Sequence, residues 1–152
     1  MKATGIVRRI DDLGRVVVPK EIRRTLRIKE SDPLEIFTDR DGKIILKKYS
    51  PIGELGDFAK EYAQSLAQVS GYTVCIADHD QIIAASGKRA KEYAGRLIDE
   101  ELETVILNRK TVKLAKKEAV RLTQNDAGGY QSQVISVITS LGDCVGACLL
   151  YT

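Results

Sequence analysis

The first 50 residues alternate short apolar runs with turn-forming residues, a pattern typical of two hairpins around a short helix. Residues 11–14 and 39–42 each end in glycine, which tolerates the positive φ that tight turns require. Pro19 fixes φ and suits the first helical position, so the pattern predicts a helix over residues 19–27. The predicted strands are residues 4–10, 15–18, 34–38 and 43–49.

Two of these strands are apolar at consecutive positions, over residues 16–18 and 44–46. Successive side chains of a strand point to opposite faces, so both faces of these strands require burial. A unit of about 50 residues buries little apolar surface alone. We therefore predict an obligate dimer in which two copies share one core.

After Ser50, the pair Pro51 and Gly53 interrupts the pattern and places a domain boundary near residue 51. An amphipathic helix is predicted over residues 54–70, and Gly71 suits its C-terminal cap. Its apolar stripe belongs to a core or to a subunit interface. The stripe consists of Leu55, Phe58, Tyr62, Leu66 and Val69.

The rest of the chain mixes strand and helix patterns in an order that predicts an α+β domain on an antiparallel sheet. Predicted strands cover residues 72–77, 81–86, 132–140 and 144–151. Predicted helices cover residues 88–94, 99–108 and 112–119, and residues 124–131 form a loop. The predicted domains are thus residues 1–50, a linker and helix over 51–71, and residues 72–152.

The net charge of +3 hides an asymmetry between the two parts of the 152-residue chain. Residues 1–50 carry 13 Lys and Arg against 8 Asp and Glu, whereas residues 51–152 carry 11 against 13. A basic module followed by a mildly acidic one indicates that the first part meets a polyanion. Neither a signal peptide nor a membrane span is apparent, so we expect a cytoplasmic protein without membrane contact.

Arginines are concentrated near the first turn and on the predicted first helix. Arginine binds phosphate and guanine edges through its planar fork, so this cluster is a candidate DNA surface. A solvated face partly neutralised by Asp11, Asp12 and Glu21 is the alternative, and charge alone leaves both open. The candidate residues are Arg8, Arg9, Arg15, Arg23 and Arg24, with Lys2, Lys20 and Arg27 nearby.

No set of acid, base and nucleophile suggests catalysis, so we expect no enzyme and no bound metal. His79 is the single histidine, and its place between two aspartates indicates a solvated turn. Cys144 and Cys148 are predicted to share one face of a strand. With Cys75 they either form a thiolate or redox site or serve as small buried apolar groups, and the second is the simpler interpretation.

A specific resemblance is carried by the run GIVRRIDDLGRVVVPKEIRRTL within residues 1–50. This run resembles the AbrB-type swapped-hairpin domain of bacterial transition-state regulators. The resemblance implies a dimeric β-barrel of interleaved hairpins that binds double-stranded DNA with a loose consensus. It also implies that the family's DNA-contacting basic positions fall on the five arginines listed above.

The run YSPIGELGDFAKEYA after residue 48 is similar to the sporulation branch of these regulators. That similarity implies a GAF-like sensory or oligomerisation domain, a tetramer, and regulation of sporulation-type genes, with an unknown small-molecule effector and no fixed cofactor. Such domains end in a closing helix, which this chain is expected to lack. An antitoxin with the same DNA-binding fold is the alternative function, although the structured second half disfavours it.

Residues 1–50, produced alone, are expected to fold only as a dimer, because a single copy cannot cover both faces of its apolar strands. Analytical ultracentrifugation combined with circular dichroism measures both properties at once. A folded monomer at micromolar concentration would contradict this prediction.

Overall fold

A computed structural model describes residues 4–152, which divide between Tyr49 and Ser50 into two compact units. The first unit contains the helix α1 and one antiparallel hairpin, β1 paired with β2. Leu34 lies opposite Lys48 and Thr38 opposite Ile44 in this hairpin. The bounds are α1 Lys20–Thr25, β1 Leu34–Thr38 and β2 Ile44–Lys48.

The predicted strands over residues 4–10 and 15–18 are not strands in the described chain. The turn between them does form, since the Asp11 amide donates to the Arg15 carbonyl at 3.0 Å. A strand needs a hydrogen-bonded neighbour, and no segment of residues 4–152 supplies one to either side of this turn. The predicted interleaving of two copies would supply that neighbour and stays a prediction.

The first unit buries almost nothing within one chain. Pro19 is its one buried residue among residues 4–49. Ile22 is half-buried, but Leu26, predicted to face inward beside it, is 55% exposed. Apolar side chains of the predicted strands are also in solvent, with Val7 at 85% and Val17 at 70% exposure.

The second unit is a five-stranded antiparallel sheet in the order β4-β3-β7-β6-β5, with helices on both faces. The prediction of an α+β fold is therefore confirmed. Its helices are α2 Pro51–Glu54, α3 Gly56–Ser70, α4 Ala90–Tyr93 and α5 Glu100–Leu107. Its strands are β3 Thr73–Ala77, β4 Ile82–Ser86, β5 Val112–Ala115, β6 Ser132–Ser140 and β7 Asp143–Tyr151.

The helix predicted over residues 112–119 is wrong, because β5 occupies Val112–Ala115 and a turn follows it. Val112 and Leu114 are partly buried against the core, while Lys113 between them is exposed, which is the period of a strand. Pairing of β5 with β6 outweighs the helix-forming Lys, Ala and Glu content of this segment.

The helix predicted over residues 54–70 is α3, which begins two residues later, at Gly56, and the predicted linker before it contains the separate short helix α2. Ser50 caps α2: its Oγ accepts from the Gly53 amide at 3.0 Å and donates to the Asp78 carboxylate at 2.8 Å. Asp78 also accepts from the amides of residues 80 and 81. The start of the second unit is thereby fixed to the turn between β3 and β4.

Small residues bring α3 close to the sheet. Ala59 and Ala63 are buried against β3 and β4, and Ala67 packs beside them. The predicted apolar stripe therefore does not belong to the core of this chain. Its members are 37–90% exposed: Leu55, Phe58, Tyr62, Leu66 and Val69.

A β-bulge in β7 overturns the prediction that Cys144 and Cys148 share a face. Ile138 pairs with Gly146 and the next residue of β6 pairs with Cys144, which leaves Val145 unpaired. One extra residue reverses the alternation of side chains. Cys144 therefore packs against the core under α5, and Cys148 packs against the core under α3.

Gly146 is needed where β7 passes β3. A Cβ at this position would overlap the Ala77 carbonyl oxygen and would lie 2.8 Å from Cδ1 of Ile52. Because the nearest atom belongs to the backbone, it cannot move aside as a flexible side chain would. Glycine at this point therefore allows the bulged strand to stay paired.

Gly146→Ala is expected to lower the free energy of unfolding by about 2–3 kcal/mol, because the added methyl overpacks a backbone contact. Urea unfolding followed by tyrosine fluorescence measures the change. Gly56→Ala is the matched control, since a Cβ there meets nothing within 4 Å. The control should change stability by about 1 kcal/mol or less, and equal effects of the two substitutions would contradict the assignment.

Candidate nucleic-acid interface

The first turn is organised by Asp11. One carboxylate oxygen accepts from the amides of Leu13 at 3.0 Å and Arg15 at 2.8 Å. The other accepts from Nε of Arg15 at 2.8 Å, and the Arg15 side chain remains 70% exposed. These hydrogen bonds lower the pKa of Asp11, and the bond from the Arg15 amide has the largest effect. The turn thus presents at the protein surface a guanidinium whose position is fixed by Asp11.

Helix α1 presents two further arginines to solvent. Arg23 is exposed, and its Nε donates to the Val18 carbonyl at 3.2 Å. Arg24 is exposed, and its side chain makes no hydrogen bond or ion pair with the described part of the chain. Pro19 precedes the helix as its N-cap rather than as its first residue. Arg27, predicted on the outer face, is half-buried.

Arg8 and Arg9 precede the turn and are exposed, as is Lys20 at the start of α1. Lys2 lies outside the described residues. The five predicted arginines all belong to the first unit and are all accessible, and Arg15 is the one paired with an acidic group within residues 4–49. Acidic neutralisation of this surface is therefore slight, which favours the polyanion interpretation over a neutralised face.

The second hairpin repeats the chemistry of the first turn, which sequence reasoning missed. Asp39 accepts from the amides of Asp41 and Lys43, and Lys43 Nζ lies 2.9 Å from the Asp39 carboxylate. Gly14 and Gly42 occupy the same place, with φ of 75° and 78°. The sequence pattern that indicates both turns is an aspartate, a glycine three residues later and a basic residue directly after the glycine.

The exposed stripe of α3 is continuous and partly aromatic. The rings of Phe58 and Tyr62 lie 4.9 Å apart, and both side chains are more than half exposed. A surface helix normally directs its apolar stripe to the core. Here the alanine face serves that purpose, so the stripe remains available to another surface.

His79 is more constrained than its predicted place in a solvated turn suggests. It lies in a turn, but it is half-buried and Nε2 is 2.7 Å from the Cys144 carbonyl oxygen. Burial raises the pKa of Cys75 to about 12, so this thiol stays protonated at neutral pH. All three cysteines are free, and no group of metal-ligating side chains occurs within residues 4–152.

The sheet face under α4 and α5 is filled by side chains where an effector cavity was expected. Tyr93 and Tyr130 are buried there, with their hydroxyl oxygens 3.1 Å apart. The Tyr130 hydroxyl donates to Asp126, and burial together with that bond raises the pKa of Tyr130. Asp126 also accepts from the amides of residues 122 and 128 and so closes the loop.

Cys75 and Ala77 of β3 face this filled core. Ala84 packs on the other side, under α3. Gln133 is a buried polar residue that sequence reasoning missed. Its amide pairs with both backbone groups of Val120, at 2.8 and 2.7 Å, and holds that segment to the sheet.

Each of the two units matches a known protein family. The family model described as "Stage V sporulation protein T C-terminal, transcription factor" matches residues 54–152. The model described as "Antidote-toxin recognition MazE, bacterial antitoxin" matches residues 7–54. Stage V sporulation protein T of Bacillus subtilis (strain 168) is 54% identical over 152 residues, which are 100% of this chain and 85% of that protein.

The transition state regulatory protein AbrB of the same organism is 69% identical over 51 residues, 34% of this chain and 52% of that protein. A refined solution structure of the N-terminal DNA recognition domain of Bacillus subtilis AbrB is 67% identical. It covers 34% of this chain and 94% of that structure, with a TM-score of 0.28.

The chain is thus a transcription regulator in which an AbrB-like basic unit precedes an α+β unit. It belongs to the stage V sporulation protein T family. No helix among residues 4–152 has the length and apolar character needed to cross a membrane.

Proposed function

We propose that residues 1–50 form a dimer that binds double-stranded DNA through Arg8, Arg9, Arg15, Arg23 and Arg24 to regulate sporulation-type genes. The main support for this proposal is that all five arginines are accessible on the first unit. Only one residue among residues 4–49 of that unit is buried. Such a unit must associate to bury its apolar side chains, and association by a two-fold axis doubles the arginine surface. The solved AbrB relative is described as a DNA recognition domain.

Phosphate contacts by these arginines set the affinity, and shape and flexibility of the duplex set the preference. Residues 1–50 contain no Asn or Gln, which are the usual readers of adenine. Arginine without such partners favours backbone contact and indirect readout. This accounts for a regulator that acts on many sites with a loose consensus.

Residues 72–152 serve regulation rather than catalysis in this proposal, as a GAF-like domain in a cytoplasmic protein. Their interior is packed with apolar side chains, and the chemistry seen there, in Asp126 and Gln133, holds loops in place. An antitoxin role rests on the match of residues 7–54 to an antitoxin model. The folded second unit opposes it, because antitoxins engage toxin through extended, disordered tails.

The exposed stripe of α3 is the surface we propose for assembly with a second copy. Four apolar side chains on the 15 residues of α3, together with Leu55 at its N-cap, would bury a continuous face between two helices. Joining two DNA-binding dimers raises the apparent affinity for long operators by roughly 100-fold when the geometry fits.

Arg15→Ala and Arg23→Ala are each expected to weaken DNA binding roughly tenfold or more, since each dimer loses two contacts. For the unaltered protein, about six neutralised phosphates predict a slope of log K against log salt near −5. Fluorescence anisotropy over a salt series measures both.

Arg40→Ala is the matched control, because Arg40 is an exposed arginine of the same unit outside the proposed surface. Thermal unfolding checks that Arg23→Ala, which removes the bond to the Val18 carbonyl, still folds. Arginine variants that bind as the Arg40 variant does, or a flat salt response, would refute the proposed function.

Leu55→Asp or Tyr62→Asp is expected to break the higher assembly and to weaken binding to long duplexes, while binding to a single short site changes little. Burying a charge within the apolar stripe destabilises the contact between two copies. Binding to a short site requires only the first unit, which does not include this stripe. Gln68→Asp, on the polar side of α3, is the control. Sedimentation gives the assembly state, and equal loss on both duplex lengths would mean that the helix only stabilises the fold.

A further inference from the structure

The basic residues of the second unit are concentrated in one short segment. Residues 109–121 hold six of the 11 basic side chains of residues 51–152 and one acidic residue, Glu118. The remaining residues of that part carry five basic and 12 acidic side chains. The slightly negative net charge of residues 51–152 therefore conceals a strongly positive segment.

This segment forms one edge of the sheet. Strand β5 is last in the strand order, so its outer side pairs with no strand among residues 4–152. Lys113 is exposed in β5. The chain then turns, with the Glu118 amide donating to the Ala115 carbonyl at 2.8 Å, so Lys116 and Lys117 occupy the exposed centre of the turn.

The one acidic side chain of this segment is already engaged, and so are its two arginines. The Glu118 carboxylate accepts from the Ala115 amide at 3.3 Å. Arg121 pairs with Glu101 at 3.2 Å, and Arg109 donates to the Gly142 carbonyl at 3.0 Å. Four lysines remain, exposed and with no ion pair or hydrogen bond to the described part of the chain. We name them the basic edge: Lys110, Lys113, Lys116 and Lys117.

We propose that the basic edge is a second DNA-contacting surface, which binds the phosphate backbone of duplex DNA flanking the segment held by the arginine unit. This inference rests on the proposed function, because the arginine unit brings DNA to the protein. The second unit begins at the residue after the first ends, so its basic edge is tethered at high local concentration to bound DNA.

The chemistry of the basic edge favours the duplex backbone over other polyanions. Lysine is a compact, hydrated point charge that contacts phosphate without reading sequence. Segment 109–121 has no aromatic side chain, so it lacks the stacking groups typical of single-strand binding. Beside the turn, a surface depression of about 170 Å³ is lined in part by Lys116, Arg121, Gly128 and Gly129, so the lysine side chain borders a concave surface.

The test compares two full-length double variants with the unaltered protein on a short duplex and on one that extends well beyond the arginine-bound site. K116Q/K117Q removes two charges of the basic edge. K88Q/K91Q removes two exposed lysines elsewhere in the same unit and is the matched control. On the long duplex, K116Q/K117Q should bind about tenfold more weakly and lower the salt slope by roughly 2 for each engaged subunit.

The control should bind both duplexes as the unaltered protein does, and K116Q/K117Q should still bind the short duplex normally. Equal behaviour of the two variants on the long duplex would overturn the proposal. So would loss of short-duplex binding by K116Q/K117Q, or normal DNA binding with loss of an acidic protein partner. Failure of the proposed function is recognised separately, by arginine variants that bind DNA normally.

Discussion

The shortage of burial in the first unit constrains everything else in this protein. Within residues 4–49 of a single chain, Pro19 alone is buried, and valines such as Val7 and Val17 face solvent. Apolar burial is the dominant favourable term in folding, so a chain segment with so little of it requires a partner. We therefore expect dimer formation and folding of this unit to be coupled.

The second unit solves the same problem within one chain. Strand β7 contributes to both of its cores, and the bulge at Val145 decides which side chains go to which core. Gly146 permits the close approach of β7 to Ala77 at that point. The resulting platform leaves two surfaces uncovered, the apolar stripe of α3 and the basic edge of β5, and each suits a different kind of partner.

Elements with a clear period were predictable, and those that depend on distant pairing were not. Helix α5 and strands β3, β4, β6 and β7 lie within two residues of their predicted bounds, because their patterns are strong and local. Strand β5 was predicted as helix, since its pairing with β6 is not visible in its own composition. The strands predicted over residues 4–10 and 15–18 are absent from the described chain, and their pairing with a second chain stays a prediction.

The candidate site shows the same division. Residue type and spacing predict the five arginines as the DNA-contacting residues, and this stays a prediction. The aspartates that organise the turns, Asp11 and Asp39, were not selected, because their role appears only in the hydrogen bonds they accept. The face of Cys148 was predicted wrongly, although a glycine within a strand is a recognised sign of a bulge.

Asp11 gives the free protein a resident anion at its proposed DNA surface. The Arg15 guanidinium is already paired at 2.8 Å before any phosphate arrives. Engagement of DNA at this position is therefore an exchange of one anion for another, and Arg15 contributes only the difference between the two pairings. A phosphate that approaches without displacing the carboxylate meets like charge instead. The aspartate thus makes the arginine selective for ligands that reach it directly, at the expense of part of its binding strength.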